Sequence, residues 1–162
     1  MITGGVITVS DKGSRGERED LSGRAVIRIL ADLSIRVDAY EIIPDEKEAI
    51  RDKIREYADR KHLDLVVTTG GTGVSPRDVT PDATLEILEK ELPGMAEAMR
   101  RKSMEKTPHA MISRAVAGIR GQCLIINLPG SPKGARENLE VILPALKHAI
   151  EKIKGDPSDC GS

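Results

Sequence analysis

Four short apolar runs, each closed by polar, acidic or glycine residues, constrain this chain more than anything else in its sequence. Val6–Val9 ends in Ser10-Asp11. Ile35, Val37 and Ala39 alternate, and that run continues through Ile42-Ile43 to Pro44-Asp45. Leu63–Thr68 closes on Thr69 and the cluster Gly70, Gly71 and Gly73, and Cys123–Leu128 closes on Pro129-Gly130-Ser131. Runs of this length and type read as buried strands. Between them, Leu21, Ala25, Val26, Ile29, Leu30 and Leu33 fall at helical spacing, as do Ile50, Ile54 and Tyr57 within the charged segment 46–61. Strands alternating with helices imply a parallel sheet covered on both faces, so the expected fold class is α/β, a single three-layer α/β/α domain.

The remaining elements follow from local chemistry. Residues 12–19 are charged and glycine-containing and read as a mobile surface loop. Thr80-Pro81 reads as a helix start, with Thr80 as cap and Pro81 at the first helical position, and the helix runs to about Glu91. A further helix covers 95–105. Arg120-Gly121-Gln122 reads as the turn of a hairpin over 115–128, expected to add an antiparallel edge to the mostly parallel sheet. A long helix runs from Pro132 to Lys154, with a kink or restart expected at Pro144. Residues 1–154 form the domain, and 155–162 are expected to be a frayed tail.

Charge removes whole classes of function. Lys plus Arg is 25 and Asp plus Glu is 26, so no net field draws nucleic acid or an anionic membrane to the surface. Tyr40 and Tyr57 are the only aromatic residues, too few for stacking on single strands. No apolar run approaches the ~20 residues that a membrane span requires. Cys123 and Cys160 form no CxxC pair, and no apolar signal segment starts at Met1, so a reduced, cytoplasmic protein is expected.

In open parallel sheets, ligands sit outside the carboxyl ends of the strands. The four strand exits should therefore line one rim, bringing together Ser10, Asp11, Asp45, the glycine segment and the 129–132 loop. The segment TTGGTG (68–73) lets the backbone turn with positive φ. Its amides can form an anion-binding nest, with donors added by Thr69 and Thr72. It lacks the Walker A and Rossmann spacings, and a tight structural turn would use the same residues. Asp78 lies just beyond it. A carboxylate beside a phosphate cradle repels phosphate unless a cation lies between, and Mg²⁺ binds through one or two carboxylates plus substrate phosphates. Asp45 supplies a second carboxylate, although single aspartates also serve as turn residues. Ser131-Pro132 repeats a helix-start signal whose free N–H groups suit an anion or simply a cap. Arg77 and Lys133 could reach phosphate, whereas Arg100-Arg101-Lys102 reads as surface. His62, His109 and His148 have no zinc-ligand spacing, and no nucleophile–histidine pair stands out. Metal-assisted phosphoryl or nucleotidyl transfer is the reaction class that remains.

Taken in order, Ser10-Asp11, Ile43-Pro44-Asp45-Glu46, TTGGTG, RDVTPDAT (77–84) and INLPGSPKG (126–134) resemble the Mog family and the amino-terminal domain of gephyrin. Leu92-Pro93-Gly94-Met95, Met111-Ile112-Ser113-Arg114 and Ala117-Gly118-Ile119-Arg120-Gly121 agree as well, so that the likeness covers roughly residues 4–154. It implies a molybdopterin adenylyltransferase, which uses Mg-ATP to place AMP on the terminal phosphate of molybdopterin and releases pyrophosphate. It also implies a homotrimer and a molybdenum insertase of the MoeA type as downstream partner. The family's acidic pair falls on Asp45 and Asp78, which would hold or orient Mg²⁺. Amides of Gly70, Gly71, Thr72 and Gly73 would meet phosphate, and Ser10, Asp11, Thr69, Pro129, Gly130, Ser131 and Pro132 would line the pocket. Two alternatives share the pattern: a MoaB-like paralogue and a carrier that binds molybdopterin or a nucleotide without chemistry.

Overall fold

The computed structural model describes residues 1–161. One six-stranded sheet runs through it, with strands β1 (Ile2–Val9), β2 (Ile35–Ile43), β3 (Leu65–Thr69), β4 (Lys90–Glu91), β5 (Ala117–Arg120) and β6 (Cys123–Leu128) in the order β2-β1-β3-β6-β5-β4. β1, β2, β3 and β6 are parallel neighbours, and β5 pairs antiparallel with both β6 and β4. The α/β reading is therefore correct. All residues of β3 and β6 are buried, as the unbroken apolar runs require of strands covered on both faces.

Alternation along these strands divides the core. Val6, Leu65, Val67, Leu124 and Ile126 pack with helices α2 (Leu21–Asp32), α5 (Pro93–Met104) and α6 (Pro132–Ile153). Ile7, Val66 and Ile125 point the other way, onto α3 (Lys47–Arg55) and α4 (Thr80–Ile87). Asn127, buried on β6, donates to Thr68 Oγ1 (3.0 Å) and Thr84 Oγ1 (3.1 Å) and so fixes α4 against β3 and β6. Each polar group in that network has a partner, the condition under which a buried network adds rigidity.

The structure corrects several local readings. The helix begun at Thr80 stops at Ile87, because Glu89 and Leu92 donate backbone hydrogen bonds to Ile119 and Ala117 (both 2.8 Å) and make β4. The 115–128 hairpin therefore lies inside the sheet, and the exposed, charged Lys90 and Glu91 form the edge, a usual way to blunt one. Thr80 is not a cap. It is buried as the first helical residue, and Val79 stands at the cap position without a side-chain bond. Residues 11–14 form a one-turn helix, α1 (Asp11–Ser14), capped by Ser10 Oγ accepting from the Gly13 amide (3.0 Å). The 46–61 segment is α3 followed by a π-helical turn over Glu56–Arg60. α6 runs unbroken through Pro144. Pro144 and Glu140, whose carbonyl loses its partner, both face solvent, while Ile142, Leu146 and Ile150 on the buried side hold the helix to the sheet.

Beyond α6, residues 155–161 are exposed, and Lys152 Nζ donates to the Asp156 carbonyl (3.1 Å). The part of the expected tail at Ser162 lies outside the described residues. Cys123 is buried and Cys160 exposed, both with free thiols. Among the described residues no helix is long and apolar enough to cross a membrane.

Candidate active site

The four parallel strand ends do meet at one rim. The end of β1 is locked to the end of β2: the Asp11 amide donates to Asp45 Oδ2 (2.8 Å), and the Asp45 amide donates to Asp11 Oδ1 (3.0 Å). Arg77 lays its guanidinium on Asp11 through Nε (3.1 Å) and Nη2 (2.9 Å). Hydrogen bonds from Arg77 and from the Asp45 amide hold the Asp11 carboxyl below its ordinary value. Asp45 moves the other way. Burial pushes it up, the Asp11 amide opposes this, and the neighbouring charges of Asp11 and Asp78 add to the rise. A half-buried carboxylate with acidic neighbours is a position where an incoming cation would be welcome.

The glycine segment after β3 turns through two consecutive left-handed residues, Gly70 (φ 104°) and Gly71 (φ 69°). A side chain at Gly70 would overlap the Val9 carbonyl, and one at Gly71 would overlap the Thr80 hydroxyl. That hydroxyl donates to the Gly70 carbonyl (2.9 Å) and pins the turn to the start of α4. The turn closes against the neighbouring strand end, where the Gly70 amide donates to the Leu128 carbonyl (3.0 Å) and Thr69 Oγ1 to the Pro129 carbonyl (2.6 Å). The expected donors Gly70 and Thr69 are thus already committed to the protein, which leaves Gly71, Thr72 and Gly73 as the segment's candidates for a ligand. Asp78 is folded back over this segment, its Oδ2 accepting from the Ser75 amide (3.0 Å) and lying 2.8 Å from where a Cβ of Gly73 would be.

A cavity of about 580 Å³ opens at the rim, lined by Ser10, Asp45, Thr69, Gly70, Gly71, Asp78, Gly130, Ser131 and Pro132. Asp11, paired with Arg77, lies outside this lining. Thr72, Gly73 and Pro129 face instead a neighbouring cavity of about 290 Å³, walled also by Arg100, Ser103, His109, Ser113 and Asn138. Ser131 borders both. It caps α6 by accepting from the Gly134 amide (3.0 Å) and so presents the first turn of a 22-residue helix to the junction.

Two residues enter this picture without having stood out in the sequence. Asp20 is a buried carboxylate in the wall of the larger cavity. It accepts from Thr8 Oγ1 (2.7 Å), the Gly23 amide (2.9 Å) and the Tyr40 hydroxyl. Burial, together with the bond to Asp20, pushes the Tyr40 phenol up to about 12. Its signal was present: an aspartate immediately before the first periodic residue of a helix is an N-cap. Arg100, read as surface, reaches back to the carbonyls of Ala115 (2.7 Å) and Ser113 (3.4 Å). Lys133 remains exposed. Among the described residues no three His, Cys, Asp or Glu side chains converge to hold a metal. A cation at Asp45 and Asp78 would therefore take the rest of its ligands from a bound molecule or from water.

Residues 5–148 match the family described as "Probable molybdopterin binding domain". The chain belongs to that family. Among proteins of known name, a molybdopterin adenylyltransferase of Helicobacter pylori is 46% identical over 154 residues, covering 94% of this chain and 88% of that protein. Gephyrin of Dictyostelium discoideum is 45% identical over 94% of this chain, but the match spans only 23% of gephyrin. Among solved structures, the molybdopterin biosynthesis enzyme MoaB of Thermus thermophilus superposes with a TM-score of 0.91 at 53% identity, covering 98% of this chain and all of that one. The resemblance to the Mog and gephyrin group is thereby established, and the fold is shared with the MoaB structure.

Proposed function

We propose that this protein is a molybdopterin adenylyltransferase. The observation that carries the reading is the rim cavity itself. Asp45 and Asp78 share its wall with the left-handed Gly70-Gly71 turn and the Ser131 end of α6, in a chain 46% identical to a protein of that name. In the reaction, an oxygen of the terminal phosphate of molybdopterin attacks the α-phosphorus of ATP. The bond to the β-phosphate breaks, and pyrophosphate leaves. The two cavities that meet at Ser131 would allow two substrates to approach one another at the shared border.

The residues supply position and charge rather than covalent chemistry. Asp45 and Asp78 fit Mg²⁺ in its usual mode, a carboxylate or two completed by substrate phosphates, since burial and acidic neighbours leave Asp45 short of positive charge. Mg²⁺, when bound, offsets the charge of the ATP phosphates. The amides of Gly71, Thr72 and Gly73 and the start of α6 would meet the phosphate oxygens, with Ser10 and Pro132 shaping the wall. Asp11 acts behind the site by holding the Asp45 backbone. By the same family resemblance the protein works in the cytoplasm as a homotrimer, and the adenylylated pterin passes to a molybdenum insertase of the MoeA type.

The test is pyrophosphate release from ATP and Mg²⁺ with and without molybdopterin. Release dependent on molybdopterin supports the reading. Binding of molybdopterin without release would replace it by the carrier alternative. The 53% identity to MoaB of Thermus thermophilus favours, as a second reading, a MoaB-like paralogue, and the same assay on both proteins side by side separates the two.

A further inference from the structure

Arg114 belongs to no helix or strand and stands between the 3₁₀ turn Pro108–Ile112 and β5. Its backbone amide donates to the Thr72 carbonyl (2.8 Å). Its side chain makes four further bonds: Nε to the Gly73 carbonyl (2.8 Å), Nη2 to the Asp78 carbonyl (2.6 Å), and Nη1 and Nη2 to the two oxygens of Asp82 (3.1 and 3.0 Å). The two carbonyls lie at the opposite ends of the segment that follows β3. Between them the segment is closed by two internal bonds, from the Asp78 amide to the Ser75 carbonyl and from the Ser75 amide to Asp78 Oδ2, and its side-chain tether outward is the exposed Arg77 on Asp11.

We propose that Arg114 is a positioning residue for adenylyl transfer, one whose guanidinium clamps Gly73 to Asp78 and so sets the distance between the glycine amides and the Asp78 carboxylate. The inference rests on the role given to Asp78 under the proposed function. The ion pair with Asp82 does not by itself explain the arrangement, because both side chains are more than a third exposed, at 38% and 46%, and pairs that wet contribute little stability. The geometry does explain it. A rigid, planar fork can satisfy two carbonyls and a carboxylate at once, whereas the single ammonium of lysine is a point charge and cannot span them. Asp82, in the first turn of α4, turns the fork toward both carbonyls.

The test compares wild type with Arg114→Lys. Hydrogen exchange of amides 73–79 should quicken about tenfold or more while the β-strand amides keep their protection. In the pyrophosphate assay kcat should fall on the order of 10²-fold, the scale of a small misplacement. The KM for molybdopterin should stay within about twofold, and the Mg²⁺ concentration for half-maximal activity should rise. A purely structural role would lower the melting temperature and leave that Mg²⁺ dependence unchanged, so that result overturns the proposal, as does unaltered exchange at 73–79. If wild type itself releases no pyrophosphate, the adenylyl-transfer reading falls, and the exchange measurement still decides whether Arg114 is the clamp. Should Arg114→Lys fail to fold, Asp82→Asn, which loosens the fork without deleting its carbonyl bonds, carries the same comparison in milder form.

Discussion

Asp11 and Asp45 hold one another by exchanged bonds, each backbone amide donating to the other's carboxylate at 2.8 and 3.0 Å. Two acidic residues at the ends of adjacent parallel strands are thereby kept side by side, although their charges repel. Arg77 offsets the charge of Asp11, and Asp45 keeps its own facing the cavity.

That arrangement has a pH signature. The folded Asp45 carboxyl is raised above its ordinary value of 3.8 by burial, partly opposed by the Asp11 amide, and raised further by the acidic neighbours. Folding therefore favours the protonated form. Its contribution is complete below 3.8 and is lost as the pH rises through the higher folded value. Asp45→Asn is neutral at every pH, and its amide oxygen can still accept from the Asp11 amide. Without Mg²⁺, its melting temperature relative to wild type should climb as the pH goes from about 3 to about 7. A constant difference across that range would mean that Asp45 is not perturbed.

Asp78→Ala tests the cavity's other carboxylate. If Asp78 helps to place Mg²⁺ in the transition state, turnover should fall by at least ~10²-fold, the scale of losing one electrostatic group. Molybdopterin affinity should change little. Ser75 loses the acceptor of its amide in this variant, so a small drop in melting temperature is expected as well. Normal turnover at saturating Mg²⁺ would remove Asp78 from the mechanism.

A glycine at position 71 of an anion-binding turn can be required by a left-handed backbone or by an approach too close to a phosphate for any side chain. The φ of 69° and the overlap with the Thr80 hydroxyl establish the first reason. Gly71→Val should therefore lower stability as soon as it touches binding, by roughly 2 kcal/mol or more, since a β-branched residue in this region is strained even without the overlap. Chemical denaturation measures it. An unchanged midpoint would require the turn to be able to rearrange without loss.

How much of this was legible in the sequence depended on the range of the interactions involved. The unbroken apolar runs of β3 and β6 announced strands buried on both faces, and their polar ends announced the rim. Lys90-Glu91 could not be read as a strand, because what makes it one is the free edge of β5, a partner about 28 residues away along the chain. Thr80 looked like a cap from its neighbour Pro81, yet its hydroxyl is taken by Gly70, a contact that exists only once the turn has formed. Thr69 and Gly70 read as ligand donors for the same reason: composition shows that a donor exists and not where it is already bound. Arg114 is visible in the sequence only as part of a motif, since its side-chain partners Gly73, Asp78 and Asp82 lie more than 30 residues earlier in the chain.

Assembly can be tested without any substrate. The sheet edge beside β5 does not call for a trimer, because β4 covers β5 with charged residues. The methionines of residues 95–111 fall into two groups. Met99 is buried in the chain's own core and Met95 packs against it, whereas Met104, Met111 and Ile112 stay 46%, 64% and 51% exposed. Those three lie at the end of α5 and in the 3₁₀ turn after it, and they offer apolar surface that a monomer would leave in water. A closed threefold ring needs a head-to-tail interface, so this patch would meet a different patch on the next copy. Light scattering at micromolar concentration should give about 53 kDa, three times the 17.6 kDa chain. Met111→Lys should shift the protein toward 17.6 kDa without unfolding it, since the side chain it replaces is already exposed. A wild-type protein that stays at 17.6 kDa under these conditions rules out the trimer.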